Sequence, residues 1–426
     1  MASIDPKNEA DSPTRTRSVL LFLLLMFLVS SLNMADRQLI GIAAQPIKRE
    51  FGLSDTMIGL LGGTAFALVY PPLGLPLAWV ADRFNRRNLL AWCLAWWSAA
   101  TMLCGFVTAP LGLLLSRIGV AAGEAGYAPT SHSLIADTIA PERRSSAFAV
   151  LVAGISAGTF IAMVGGGWLT QHYGWRTAFI AIGAPGVLVA ILVRLLIREP
   201  VRTTMPGGSP WPAYKRLLGS APFRRCVAGS ALHLMVTYGL VWAVPWLERS
   251  HGIGPARAGL LLGTIGAAAG LIGSLAGGAI GDRLARSDRR WLGWWPAVTV
   301  LAAAAFGVPA LLTESLTLAL LGLAAATFLN ALYQPSTYAL VQGVAGAGER
   351  ASAAALMIFI QNLIGLGLGP ACVGFASDLL TPEFGAGALG IALAGLFLVN
   401  GLSATAFYRA GRALGPGEMG PGKMGE

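Results

Sequence analysis

The chain has 426 residues, 55% of them hydrophobic and only 12% charged, with 55 glycines and a mean hydropathy of +0.65. A soluble domain carries about a quarter charged residues, so this composition excludes a water-soluble enzyme. The net charge of +10 fits a membrane protein with basic inner loops better than a nucleic-acid binder, because Lys and Arg collect on the cytoplasmic side of a bilayer.

A bilayer core of about 30 Å needs about 20 apolar residues per helix. On that scale the sequence predicts an all-α membrane protein with spans at 18–45, 54–80, 88–108, 111–137, 145–169 and 177–197, then 226–247, 256–281, 291–312, 316–342, 351–378 and 386–408. The first stretch runs well past the apolar core of a signal peptide, about 7 to 15 residues, and is read as a retained helix. Residues 1–17 form a cytoplasmic N-terminal segment, 18–197 and 226–408 two six-helix bundles, and 409–426 a Gly/Pro-rich cytoplasmic tail expected to be disordered. Between the bundles, 198–225 reads as a linker with Pro206, Gly207, Gly208, Pro210 and Pro212. It leads into a short basic amphipathic stretch containing Trp211, Tyr214, Lys215, Arg216, Leu217 and Leu218.

With the N-terminus inside, 23 of the 30 Lys and Arg residues fall on the inner side. Only Lys48, Arg49, Arg176, Arg249 and Arg257 fall outside, and Arg37 and Arg117 lie within spans. Both termini are therefore cytoplasmic. Cys93, Cys104, Cys226 and Cys372 stand singly, without metal or disulfide spacing. No cofactor site is expected, and the absence of N-x-S/T sites fits a bacterial inner membrane.

The chain repeats internally. Asp82-Arg83-Phe84-Asn85-Arg86-Arg87 after span 2 returns as Asp282-Arg283-Leu284-Ala285-Arg286 after span 8. Glu124-Ala125-Gly126-Tyr127-Ala128-Pro129 in span 4 returns as Asn330-Ala331-Leu332-Tyr333-Gln334-Pro335 in span 10. Two parallel six-helix halves follow, as in transporters whose halves are related by an axis along the membrane normal.

The repeated Asp-Arg-x-x-Arg loop and the six-plus-six pattern resemble the major facilitator superfamily. Asn33-Met34-Ala35-Asp36-Arg37-Gln38, Glu50-Phe51-Gly52-Leu53-Ser54-Asp55 and Arg117-Ile118-Gly119-Val120-Ala121-Ala122-Gly123-Glu124-Ala125-Gly126 resemble its spinster-like branch. Ala78 and Asn85 depart from glycines favoured in the general loop motif, Ala121 from one usual in span 4, and span 5 lacks the Gly-Pro of many antiporters. The resemblance implies a cavity lined by spans 1, 4, 7 and 10, proton coupling through Asp36, Arg37 and Glu124, and a lysophospholipid or sphingoid phosphate as substrate.

The residues themselves point to the same place. Asp36, Arg37, Arg117 and Glu124 are ionisable groups inside spans, which cost several kcal/mol and mark function. At about 1.5 Å per residue, Asp36 lies about 27 Å along an outward-running helix and Arg117 about 9 Å along an inward-running one. The two are at similar depth, so a pair is expected. Glu124, Tyr127 and Ser131 continue a polar stripe below Arg117. Protonation of Asp36 or Glu124 would free Arg37 or Arg117 for an anionic substrate group; the alternative is a static salt-bridge lattice.

The second half offers a neutral wall to this cavity: His233, Tyr238, Trp242, Asn330, Tyr333, Tyr338, Gln361 and Asn362. A charged wall opposite an aromatic one suits an amphipathic anionic substrate, handled by a monomer exchanging protons. A permease or exporter for small organic acids, sugars or drugs is the alternative. His132 and His233 are candidate proton carriers. Asp82, Arg83, Arg86, Arg87, Asp282, Arg283 and Arg286 read as an inner gate, the arginines facing Asp137 or Glu142. Span 8 carries Gly259, Gly263, Gly266, Gly270, Gly273, Gly277 and Gly281 on one face, predicting close helix approach. Gly154-Ile155-Ser156-Ala157-Gly158 matches G-x-S-x-G, but it lies mid-helix, where no nucleophile elbow can form.

Overall fold

A computed structural model describes residues 13–140, 143–200, 211–346 and 349–415, apart from the side chains of 13–18, 82, 145 and 351. Among the described residues the helices form twelve spans. The first half holds α1 (Pro13–Ile42, followed by a short outer helix Ala44–Phe51), α2 (55–83), α3 (Arg86–Cys104), α4 (110–138), α5 (144–173) and α6 (Trp175–Leu196). A linker helix, Trp211–Gly219, precedes α7 (221–251), α8 (Pro255–Ser287), α9 (Trp291–Leu312), α10 (316–344), α11 (350–384) and α12 (388–414).

Local structure repeats at the spacing of the Asp82 and Asp282 loops. The helix before α2 ends at Gly52 (φ 63°) and α7 ends at Gly252 (φ 66°), both left-handed caps that favour glycine. Wide π turns interrupt α5 at Ala162–Gly166 and α11 at Asn362–Leu366, again 200 residues apart. These caps and bulges repeat between the halves, whereas the π turn at Leu60–Thr64 in α2 has no counterpart in the unbroken α8.

Several boundaries differ from expectation. α7 begins at Ala221 and takes in Arg224 and Arg225, because Arg224 reaches the Leu218 and Gly219 carbonyls and Arg225 the Arg409 carbonyl. α12 continues to Leu414, so the first residues of the expected tail are helical, with Arg412 in a last turn that favours cations. The linker helix is tied down by buried Leu217 and by the Arg216–Glu349 ion pair. The remainder of the linker (201–210), Glu142 and the tail beyond 415 lie outside the described residues.

Glycine sets the helix spacing. A Cβ at Gly154 would overlap the Phe27 carbonyl of α1 and one at Gly158 the Ser31 carbonyl, so the G-x-S-x-G stretch is a packing face inside the helix Arg144–Ile161. The α8 glycine face is divided. Gly273 and Gly277 abut carbonyls of α10 and Gly281 abuts Ser336, whereas Gly259 meets the Met163 carbonyl of α5 in the other half. Gly266 and Gly270, between these two contacts, have nothing within 4 Å of an added Cβ.

The apolar core shows how the halves sit together. At the outer ends one cluster runs through both, joining Ile47, Leu53, Trp175 and Phe179 to Trp246, Leu311 and Phe397. Toward the inner ends it divides. Met26, Leu94, Trp97 and Val193 belong to one cluster and Phe223, Val300, Leu340 and Phe407 to another. The molecule is clasped outside and parted inside.

Candidate transport site

Four charges meet where α1, α3 and α4 cross. Arg117 Nη1 lies 3.3 Å from Asp36 Oδ1, and both residues are buried. The separation is longer than the 2.7–2.9 Å usual for a charge-assisted bond. Asp36 Oδ2 instead receives the Thr101 hydroxyl at 2.7 Å. Arg37 Nε donates to Glu124 Oε2 at 2.7 Å. Its guanidinium stands over the Phe66 and Tyr70 rings, 4.7 and 4.5 Å from their centroids, where cation–π attraction adds to the ion pair. Glu124 is fully buried while the Arg37 side chain keeps 15% exposure, so Arg37 is the more accessible member of this pair.

Polar capacity is left over in this cluster. Glu124 Oε1, Arg117 Nε and Ser131 Oγ are buried without a hydrogen-bond partner. Unpaired buried polar atoms cost about 1–3 kcal/mol each, and they cluster here on the polar stripe of α4. Tyr127, buried below Glu124, shares a hydrogen bond with Ser30 of α1.

From the second half, Tyr238 reaches this group and lies within electrostatic range of Arg37 and Glu124. Its hydroxyl donates to Asn362 Oδ1 at 3.2 Å, and Gln361 bonds Ser230, so α7 and α11 are tied together behind the charged cluster. Tyr338 is half-buried, and Asn330 is buried with an unbonded Oδ1.

Three residues expected on the cavity wall are packed into the second half. Trp242 is 1% exposed, its indole nitrogen donating to the Pro370 carbonyl at 2.9 Å within the closed outer end. His233 is fully buried with Nδ1 2.9 Å from Asn400 Oδ1, and its ring packs on Tyr333, which in turn meets Phe407. His132 is exposed beside Phe148.

At the inner end each described ion pair lies within one half or ties a half to the linker. Arg86 binds Asp137 and Glu199, and its guanidinium also reaches Ser133 and the Pro200 carbonyl. The Arg87 backbone N–H donates to Glu199, and Arg83 stacks on Trp79. Asp282, Arg283 and Arg286 are exposed, and the Asp82 side chain lies outside the described residues.

The outer end carries a second charge cluster, in which Asp55 of the Glu50–Asp55 motif pairs across the halves in a way the sequence did not signal. Asp55, fully buried at the start of α2, accepts from Lys48, from both Arg249 Nη atoms and from Ser377. Asp378 of α11 accepts the Asp55 and Thr56 backbone N–H groups at 2.9 and 2.7 Å and the Thr56 hydroxyl at 2.6 Å. A carboxylate at a helix N-terminus is favoured by the helix dipole, and here cap and helix belong to opposite halves. Asp55 beside Ser54 reads locally as an ordinary cap, so only the folded chain exposes the clasp.

Twelve spans in two repeated halves, closed at one end around buried charges, define a secondary transporter of the membrane. Residues 26–370 match the Major Facilitator Superfamily, and the chain belongs to it. The chain is 37% identical over 379 residues to an MFS-type efflux pump of Mycolicibacterium smegmatis, covering 87% of each. Over 399 residues it is 27% identical to protein spinster homolog 1 of Rattus norvegicus, covering 86% of this chain and 74% of the relative. It superposes with a TM-score of 0.84 and 29% identity on the crystal structure of a bacterial homologue of the human lysosomal transporter spinster in an inward-facing, unoccupied conformation, covering 95% of this chain and 98% of that one. These likenesses place it with the spinster-like branch.

Proposed function

We propose that the protein is a proton-coupled carrier of an amphipathic anionic lipid of the lysophospholipid or sphingoid phosphate type, working by alternating access in a bacterial inner membrane. The observation that carries this reading is the Arg37–Glu124 pair, in which Arg37 keeps 15% exposure while Glu124 is fully buried with one of its oxygens unbonded. Asp36, Arg37, Arg117 and Glu124 sum to zero charge. One added proton leaves the group with a net positive charge in a poorly solvated place, and a substrate phosphate at Arg37 or Arg117 would compensate it. Tyr127 and Ser131 extend the charged wall, while Tyr238, Tyr338, Asn330, Gln361 and Asn362 form the neutral wall that would take the apolar body. Arg83, Arg86, Arg87 and Asp137, with Asp82, Asp282, Arg283 and Arg286, would rearrange to close the inner side.

The efflux-pump relative favours a second reading, export of small organic acids or drugs. Transport into proteoliposomes separates the two. Dependence on acyl-chain length supports the lipid, and a response only to short acids or drugs supports the second reading.

A further inference from the structure

We infer that Thr101 sets the proton affinity of Asp36 by switching its single hydroxyl proton between two acceptors; this rests on the coupling role proposed for Asp36. Thr101 Oγ1 lies 2.7 Å from Asp36 Oδ2 and 2.9 Å from the Trp97 carbonyl of its own helix, and the residue is 1% exposed. A threonine hydroxyl carries one proton and accepting lone pairs. Only one of these two contacts can use the threonine proton at a time.

The arrangement satisfies both forms of Asp36 without moving a heavy atom. With the carboxylate ionised, Thr101 donates to Oδ2, a charge-assisted bond that favours the ionised form. With Oδ2 protonated, the new proton is donated to Thr101 Oγ1, and the threonine proton turns onto the Trp97 carbonyl, the usual helix acceptor for this side chain. Thr101 neither gains nor loses a proton. The Arg117 contact at Oδ1 is compatible with both states.

The other charged or titratable groups facing Asp36 are Arg117 and Glu124 on α4, Arg37 on its own helix and Cys104 on α3. The Cys104 thiol is directed to the Ala100 carbonyl at 3.4 Å, and the two arginines hold their positive charge. Glu124 lies against Asp36 as a second titratable carboxyl, and Thr101 is the neutral hydroxyl bonded to the Asp36 carboxylate.

Infrared titration of the protonated-carboxyl stretch in the purified, reconstituted protein tests this without any substrate. The Asp36 band is assigned by its loss in Asp36→Asn. Thr101→Val keeps the shape and removes the donor, and the Asp36 midpoint should move to higher pH by about one unit, a tenfold change. Thr101→Ser should restore a midpoint close to the wild-type value. An Asp36 band that titrates in the wild type but is unmoved or lowered in Thr101→Val overturns the inference alone. Loss of the Ser rescue, with Ser behaving like Val, also overturns it, because a packing role would then suffice. Absence of any titrating Asp36 band in the wild type overturns the inference together with the coupling role.

Discussion

Arg249, at the end of α7, holds Asp55, at the start of α2, with both Nη atoms at 2.6 Å, and so joins the two halves at the outer face. Planar two-point geometry of this kind is the strong form of an ion pair, and removing one partner of a buried pair costs on the order of 3–5 kcal/mol. Arg249→Ala is expected to weaken the closed outer end and raise the outward-open population at least tenfold. Spin-label distances between the outer ends of α2 and α11 should show a longer component absent from the wild type. An unchanged distribution would mean that the apolar core around Trp246 holds the clasp by itself.

The divided glycine face of α8 gives opposite outcomes along one helix. Gly266→Ala and Gly270→Ala meet open space and gain helix propensity, about 1 kcal/mol each, so thermal stability in detergent should hold or rise. Gly277→Val would drive a side chain into the Leu332 backbone and should lower it clearly. Gly259→Val, against Met163 of the other half, should leave the second bundle intact while opening the outer seam. Labelling of a cysteine placed beside Met163 would report this.

Glu50, outside the spans, accepts from Arg176 and from the Trp175 indole, and these bonds hold its carboxyl below the ordinary range. A lowered value in the folded state contributes stability that is present above the unfolded value and lost as pH falls through the folded one. The stability difference between wild type and Glu50→Gln should therefore be greatest near neutral pH and shrink in acid. Both groups are substantially exposed, so added salt should reduce it as well. A difference that grows in acid would contradict the assignment.

The meeting of Asp36 and Arg117 was legible from helix rise alone, because each lies in an uninterrupted helical stretch, Pro13–Ile42 and Pro110–Glu124, along which depth can be counted in residues. The Arg37–Glu124 bond was less so, since side-chain direction around α1 had to be known to say which arginine meets which carboxylate. Thr101 gave no signal, being one threonine in an apolar span. Trp242 and His233 carried the opposite difficulty: their chemistry suits a cavity, but helix rotation turns them into the packing of α7 against α11 and α12. The Asp55–Arg249 clasp depends on pairing across halves, which periodicity within one helix does not specify.

Proton coupling at Asp36 and Glu124 is read out by substrate-dependent proton uptake in proteoliposomes, with wild type compared with Asp36→Asn and Glu124→Gln against a panel of lysophospholipids and small organic acids. Lysophospholipid should trigger uptake that each substitution abolishes, while protein folding and lysophospholipid binding persist. Uptake that survives both substitutions would contradict that coupling.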